Sequence, residues 1–403
     1  MKIGIFGGTF NPPHLGHVTS ARAVIEILKL DRLLLVPDGT PPHKALPEGS
    51  PTAEQRLEMT RLAGEQLNLG DRVETLDLEI RRAGRSFTAD TLETVQKQYP
   101  DAELWLLMGT DMFLTLDEWH QPEKILSLAG VAAFSRTEED TEDRFSQQRR
   151  KLIGLYPDAR IFTLTVPGVV DISSTELRKR LKCGRGENLL APAVYGYILR
   201  EGLYQTGADL KHLTLNRLRP VALSYLKHKR IPHVLGTEQE AIRLAERWGG
   251  DVEKARVAAL LHDCTKKLDM EEQTALCSRY GIELDELESQ ALKLLHAKTG
   301  AAIARDVFGV DDEIYRAIWW HTTGHAGMTL LEKIIYLADY IEPSRDFPGV
   351  DNLRKVCYDN LDAGAMLGLE MTVEEMAQRG APVHHNTIEA LNDLKGKNSI
   401  EQK

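Results

Sequence analysis

Two sets of residues in this 403-residue chain have the types and spacing to do chemistry, one on phosphate groups and one through metal ions. The first is the string Gly7-Gly8-Thr9-Phe10-Asn11-Pro12-Pro13-His14-Leu15-Gly16-His17. Glycines let a backbone approach a phosphate closely, and a helix N-terminus offers unbonded N–H groups and a favourable dipole. His14 and His17, three apart at a helix start, can turn their rings into one pocket and donate to phosphate oxygens as charge builds. The second set is His233, the doublet His262-Asp263, His296, His321 and Asp339. Neighbours on a helix diverge by about 100°, so His262 and Asp263 can share one metal, or Asp263 can bridge two. A charged Asp in the apolar stretch AALLHDCTK is costly unless paired or metal-bound, and Asp339 inside IIYLADYIEP raises the same problem. Imidazole together with carboxylate suits iron, manganese or another borderline divalent ion. Alone, His296 or His321 would be an ordinary core histidine; the ordered set carries the reading. His325, in a glycine turn, and His384-His385, at a helix start, are set aside as ligands.

The elements that must hold the first set alternate. Residues 2–6 (KIGIF), 32–36, 104–108, 129–134 and 161–166 are short apolar runs that read as buried strands, with helices over 17–28, 53–67 and 88–98. Strand and helix in alternation predict an α/β unit, a parallel Rossmann-like sheet covered on both faces, with ligands at the carboxyl ends of its strands. After Tyr204 the pattern changes. Residues 205–208 are small and polar, a linker, and from 209 to 395 apolar residues recur at helical spacing, as in 255–261, 287–295, 301–308, 313–320 and 328–341. That half reads as all-α, with each ligand candidate on a different helix. Four histidines precede the linker and nine follow it. The acidic stretch 138–143 reads as a solvated loop, and 396–403 as a frayed tail.

Composition is that of a globular protein, 42% hydrophobic and 27% charged. A net charge of −10 argues against a broad electrostatic grip on nucleic acid. None of the four cysteines forms a C-x-x-C pair, and lone thiols suit a reducing compartment. The start MKIGIFGG is interrupted by glycine too soon for a signal peptide, and no apolar run approaches the roughly 20 residues of a membrane span. These features point to a cytoplasmic protein that does not meet the membrane; a homo-oligomer is left open.

The first string resembles the G-x-F-x-P-x-H-x-G-H signature of the nucleotidyltransferase superfamily. A second superfamily element is Ile172-Ser173-Ser174-Thr175-Glu176-Leu177-Arg178, with Ser174 at an expected helix cap and Arg178 one turn on. VPDGTPPHK at 36–44, SFTADTL at 86–92, MGTDMF at 108–113, Trp119 and VYGYILREGLY at 194–204 narrow the resemblance to bacterial nicotinate-nucleotide adenylyltransferases, over residues 1–204. Phe87 departs mildly, standing where tyrosine is as common. The resemblance implies in-line attack of nicotinate mononucleotide on the α-phosphorus of ATP, with pyrophosphate leaving and magnesium bridging phosphate oxygens. It implies that His14, His17, Lys44 and Arg178 act on the phosphates. ATP would also touch Gly7, Gly8, Thr9, Phe10, Gly109, Asp111, Ile172, Ser173 and Ser174. Asn11, Thr88 and Trp119 would meet the nicotinate nucleotide, Trp119 by stacking. Whether nicotinamide mononucleotide is preferred instead stays open.

The second set resembles the HD superfamily of phosphohydrolases. The wording RIPHVLGTEQEAIRLAERWG, ALLHDCTK, LLHAKTGA, AIWWHTTGHAGM and YLADYIEPSRDFPGV narrows this to HD hydrolases acting as symmetrical diadenosine tetraphosphatases, over residues 209–395. Cys264-Thr265 departs from the Ile-Gly pair of many HD proteins. The resemblance implies metal-assisted hydrolysis to two ADP. His233, His262, Asp263 and Asp339 would hold one ion, and His296 and His321, with Asp263 bridging, a second. Lys266 and Arg345 would contact phosphate. Two alternatives stay open: a regulatory nucleotide-binding module, or hydrolysis of another phosphoester.

Overall fold

The computed structural model describes residues 1–40, 46–82, 84–135, 141–166 and 172–401. Lys44 lies outside them, as do residues 138–140 of the acidic stretch. The chain divides into two compact units, one ending at Ala208 and the other beginning at Asp209. Among the described residues no helix is long and apolar enough to cross a membrane.

The first unit is built on β1 (Lys2–Gly8), α1 (Leu15–Leu28), β2 (Arg32–Pro37), α2 (Ala53–Glu65), β3 (Val73–Thr75), α3 (Thr88–Gln98), β4 (Glu103–Gly109), α4 (Thr110–Leu114), α5 (Pro122–Leu128), β5 (Ala129–Ser135), α6 (Ser146–Leu155), β6 (Ile161–Thr165), α7 (Ser174–Lys182) and α8 (Pro192–Arg200). All six strands are parallel, in the order β3-β2-β1-β4-β5-β6. Ile3, Ile5, Leu34, Leu104, Leu106 and Val131 are buried in the centre, as continuous apolar runs require when both faces are covered. Strand β3 was not foreseen. Its three residues, Val-Glu-Thr, are only half-buried, and it is an edge strand paired with Leu33–Leu35 alone. The strand order reverses between β1 and β4, so the loops after these two strands flank the crevice where such sheets bind ligands.

Helix α1 starts at Leu15, two residues earlier than expected, because His14 is its cap. At the end of the acidic stretch, Thr141–Phe145 form a helical turn rather than a loop. The loop after β2 passes so close to the chain before α3 that a Cβ on Gly39 would stand 2.6 Å from the carbonyl oxygen of Glu79. The loops after β1 and β2 are tied by Arg56 of α2, whose guanidinium is fully buried. It donates to the Thr9 carbonyl at 2.9 Å, to Asp38 Oδ1 at 2.8 Å and to the Gly39 carbonyl at 2.8 Å. Thr9 Oγ1 donates to the other Asp38 oxygen at 2.8 Å. Burial pushes the Asp38 carboxyl above its ordinary range, against the pull of Thr9 and Arg56.

The second unit contains α9 (Leu215–Ser224), α10 (Ile231–Trp248), α11 (Val252–Leu261), α12 (Met270–Tyr280), α13 (Leu292–Phe308), α14 (Asp312–Trp320), α15 (Leu330–Ile341), α16 (Val350–Asp359), α17 (Leu361–Gln378) and α18 (His385–Glu401). Among its described residues there is no strand. The segments 287–295 and 301–308, read apart in the sequence, fall largely within the single helix α13, because Gly300 continues the helix. Helix α18 continues to Glu401, past the point at 396 where fraying was expected. Thr206, in the expected linker, donates from its hydroxyl to the carbonyl of Leu203 at 3.0 Å and so belongs with the first unit.

Replacing Arg56 by Met keeps the volume but leaves Asp38 Oδ1 and two carbonyls without their donor. Breaking one side of a buried ion pair costs about 3–5 kcal/mol. The expected result is a clear fall in the urea midpoint of the first unit; an unchanged midpoint would show that Arg56 is not what ties the loops.

Candidate active sites

Chain segments distant in sequence meet at the loop between β1 and α1. The Gly8 carbonyl accepts from Asp38 N at 3.1 Å, and the Thr9 carbonyl is taken by Arg56. A trans peptide points its N–H opposite to its C=O, so the amides of Thr9 and Phe10 face away from these anchors. Phe10 has φ 45°. Its ring is buried edge-on to Phe6 and His17, at 5.5 and 5.4 Å between centroids. The His14 and His17 rings touch, 3.8 Å between centroids. His14 N donates to His17 Nδ1 at 3.1 Å, which leaves the proton of a neutral His17 on Nε2, a donor form.

Arg178, from α7, donates through Nη1 to the Asn11 carbonyl at 2.7 Å and through Nη2 to Thr175 Oγ1 at 3.1 Å. Ser174 Oγ donates to the Pro12 carbonyl at 3.2 Å. The cap of α7 is Ser173, whose hydroxyl accepts from Glu176 N, and not Ser174, which opens the helix. Ile172 beside it is buried. Asn11 is buried too. Its side chain is engaged by Tyr204 and Ser50, so it braces the loop instead of extending into the crevice. At the other lip, Gly109 caps α4 and Asp111 is exposed in its first turn. Thr88 opens α3, and Phe87 before it packs against the tilted His120 ring at 4.2 Å, which brings the segments of Thr88 and Trp119 together. Trp119 also packs against the core. Nothing local marked Arg56, Tyr204 or Ser50, because each acts on the loop from a distant stretch of chain.

In the second unit all six candidate ligands converge. His233 stands in the first turn of α10, where Pro232 lacks an N–H that a helix start leaves unbonded anyway. The doublet His262-Asp263 lies just past the end of α11, not inside it, and His321 just past the end of α14. His296 is on α13 and Asp339 on α15. His233 Nε2 is 2.9 Å from Asp339 Oδ1 and 3.8 Å from Asp263 Oδ2. His262 Nε2 is 3.5 Å from Asp263 Oδ2 and 3.9 Å from Asp339 Oδ1. Asp263 Oδ1 faces His296 Nε2 at 3.2 Å, and His296 Nε2 lies 3.1 Å from His321 Nε2.

The helix ends explain why these rings point inward. The last carbonyls of a helix lack partners, and His262 Nδ1 reaches Ala259 O at 2.6 Å while His321 Nδ1 reaches Ile318 O at 2.7 Å. Each Nδ1 therefore carries the proton and each Nε2 keeps its lone pair, the form that ligates metals. His233 Nδ1 is held by Glu342 Oε1 at 3.0 Å, and Glu342 is fixed in turn by Ser344 N and Oγ. Gly236 makes room for this: a Cβ there would meet Glu342 Oε2 at 2.5 Å. Burial opposes charge on Asp263 and Asp339, but His262 and His296 around the first, and His233, His262 and Arg345 around the second, hold both carboxyls well below their ordinary range. Burial, with His262 and His296 alongside, keeps His321 well below its ordinary value and so neutral. The donor set fits a divalent metal ion on an observation of its own: His233 Nε2, His262 Nε2 and Asp263 Oδ1 are buried without a hydrogen-bond partner.

Cations ring the same cage. Arg345 Nη2 donates to Asp339 Oδ1 at 2.8 Å, and Lys266 Nζ lies 2.9 Å from His296 Nε2. Burial lowers Lys266 from its ordinary range. Arg230, which sequence reading passed over, pairs with Asp263; its spacing three residues before His233 was the available signal. A separate group, Asp285, His384 and His385, ties the start of α18 to the turn before α13. There Asn386 N donates to His384 Nδ1, His384 Nε2 lies 3.1 Å from Asp285 Oδ2, and Lys298 pairs with Glu288.

A cytidylyltransferase-like family model matches residues 5–180, and an HD-domain model matches residues 230–344. Over 207 residues the chain is 37% identical to a probable nicotinate-nucleotide adenylyltransferase of Gemmatimonas aurantiaca, covering 51% of this chain and 93% of that protein. Over 170 residues it is 40% identical to the symmetrical bis(5'-nucleosyl)-tetraphosphatase of Bacillus subtilis, covering 42% of this chain and 91% of that protein. The chain belongs to both enzyme families, joined end to end. A crystal structure of an HD-superfamily hydrolase from Clostridium acetobutylicum, described as involved in NAD metabolism, is similar at 41% identity and a TM-score of 0.45, covering 46% of this chain and 98% of that one. The adenylyltransferase half is the parallel-sheet unit, and the tetraphosphatase half is the helical unit, whose HD match spans all six cage residues by position, from His233 to Asp339.

Because Glu342 orients His233, replacing it by Ala should weaken divalent-metal binding by roughly 10–100-fold. Calorimetric titration of the apo full chain with manganese reads this directly, and an affinity equal to wild type would remove Glu342 from the site.

Proposed function

We propose that the chain is bifunctional. Its first unit transfers AMP from ATP to nicotinate mononucleotide, giving deamido-NAD and pyrophosphate. Its second unit hydrolyses diadenosine tetraphosphate symmetrically to two ADP. The first assignment is supported above all by the meeting of His14, His17, Arg178 and Ser174 at one loop from segments more than 150 residues apart. The loop amides and His17 Nε2–H suit phosphate oxygens, with ATP arriving as its magnesium complex. Arg178 and Ser174 stand where they can pass from loop carbonyls to the leaving pyrophosphate. Gly109 and Asp111 suit the adenosine side, and Thr88 and Trp119 the pyridine ring. Asn11 acts here as a brace.

The second assignment is supported by the convergence of four imidazoles and two carboxylates from five helices or helix ends. His233, His262, Asp263 and Asp339 form one ligand group, and His296 and His321 share Asp263 as a second. Iron or manganese bound there would supply Lewis acidity to the phosphate and to the attacking water. Arg230 and Arg345 would leave the carboxylates, and Lys266 the His296 ring, for the polyphosphate, placing three cations along a highly charged chain.

A crossed assay on the full chain tests both assignments. His17→Ala should cut AMP transfer by about 10²–10³-fold, the usual loss for one transition-state donor, and leave tetraphosphate hydrolysis intact. Asp263→Ala should do the reverse. Loss of both activities in either variant, or of neither, would refute the two-site reading. Chelation followed by dialysis should abolish hydrolysis, and added Fe²⁺ or Mn²⁺ should restore it; chelator-resistant hydrolysis would rule out the metal cage. Nicotinamide mononucleotide at equal concentration should be the poorer acceptor, and a preference for it would overturn the choice of the nicotinate form.

A further inference from the structure

The last turn of the first unit bends in an unusual way. Tyr204 and Gln205 have φ of 54° and 60°, two consecutive non-glycine residues in the left-handed region. A Cβ makes that region costly, and such outliers persist only where the surroundings over-determine them. What the bend delivers is the Tyr204 ring, only 8% exposed. Its hydroxyl donates to Asn11 Oδ1 at 2.8 Å across 193 residues of sequence. Burial raises the phenol far above its ordinary range, so the hydroxyl remains a donor at every working pH.

Asn11 is gripped at three points. Tyr204 holds its amide oxygen, its Nδ2 donates to Ser50 Oγ at 3.1 Å, and its backbone carbonyl accepts from Arg178 Nη1 at 2.7 Å. Asn11 is 3% exposed, so water cannot readily replace the phenol. Without that donor the amide must turn to find another, and the turn disturbs both Ser50 and the carbonyl that Arg178 reads.

We propose that Tyr204 is a positioning residue of the adenylyl-transfer site, holding the phosphate loop through Asn11 in the arrangement used by His17 and Arg178. This rests on the adenylyltransferase reading of the first unit. Tyr204 touches no reacting atom; it acts through the loop.

The test is Tyr204→Phe in the full chain, which keeps the ring and removes one oxygen. Hydrogen–deuterium exchange of peptides spanning residues 7–17 should quicken several-fold, with the rest of the first unit unchanged. AMP transfer from ATP to nicotinate mononucleotide should lose about tenfold in kcat with a smaller change in KM, as expected when reacting groups are misplaced by a fraction of an ångström. Tetraphosphate hydrolysis should stay at the wild-type rate. Unchanged exchange at 7–17, or unchanged kcat, overturns the proposal. Faster exchange throughout the first unit also overturns it, since the phenol would then serve stability alone. If wild type transfers no AMP, the functional reading falls, while the exchange result still decides whether Tyr204 holds the loop.

Discussion

A carbonyl or carboxylate buried without a partner costs about 1–3 kcal/mol, more when it is charged, and the architecture of both units follows from meeting that demand. In the first, the carbonyls of Thr9, Asn11 and Pro12 turn inward onto Arg56, Arg178 and Ser174. The amides of Thr9 and Phe10 are left facing the opposite way. In the second, the carbonyls of Ala259 and Ile318 at two helix ends take the Nδ1 protons of His262 and His321, and the opposite ring nitrogens turn inward. The same demand turns loop amides away from the anchored carbonyls in the first unit and imidazole nitrogens inward in the second.

Protonation states inside the cage reinforce one another. The carboxyls of Asp263 and Asp339 are held ionised by the imidazoles and Arg345 around them, while burial keeps His321 and His296 neutral. His262 is the exception: burial works against its proton, but Asp263 and Asp339 outweigh this and raise it above its ordinary value. His262 Nε2 lies 3.5 Å from Asp263 Oδ2 and 3.9 Å from Asp339 Oδ1, and a divalent ion bound there would supply the positive charge that these carboxylates favour.

Much of this was legible in the residues, and the misses have physical causes. Five strands were visible because continuous apolar runs leave a plain signal, whereas β3 has one apolar residue in three and is recognisable only by its pairing with β2. The six cage residues were visible as an ordered set, but the doublet was placed inside α11, because apolar periodicity continues through His262 while the helical hydrogen bonds stop at Leu261. Ser173 and Ser174 are equally good caps on paper, and only the backbone decides between them. Arg56, Glu342 and Tyr204 share another reason. Each works through partners far away in sequence or on another element, and such contacts leave no local pattern to read.

Asp263 stands at the centre of the cage, its two oxygens turned toward different histidines, His296 on one side and His233 and His262 on the other. A shared wall of this kind makes the two compartments interdependent. A change at this one position would therefore disturb both sets of histidines at once.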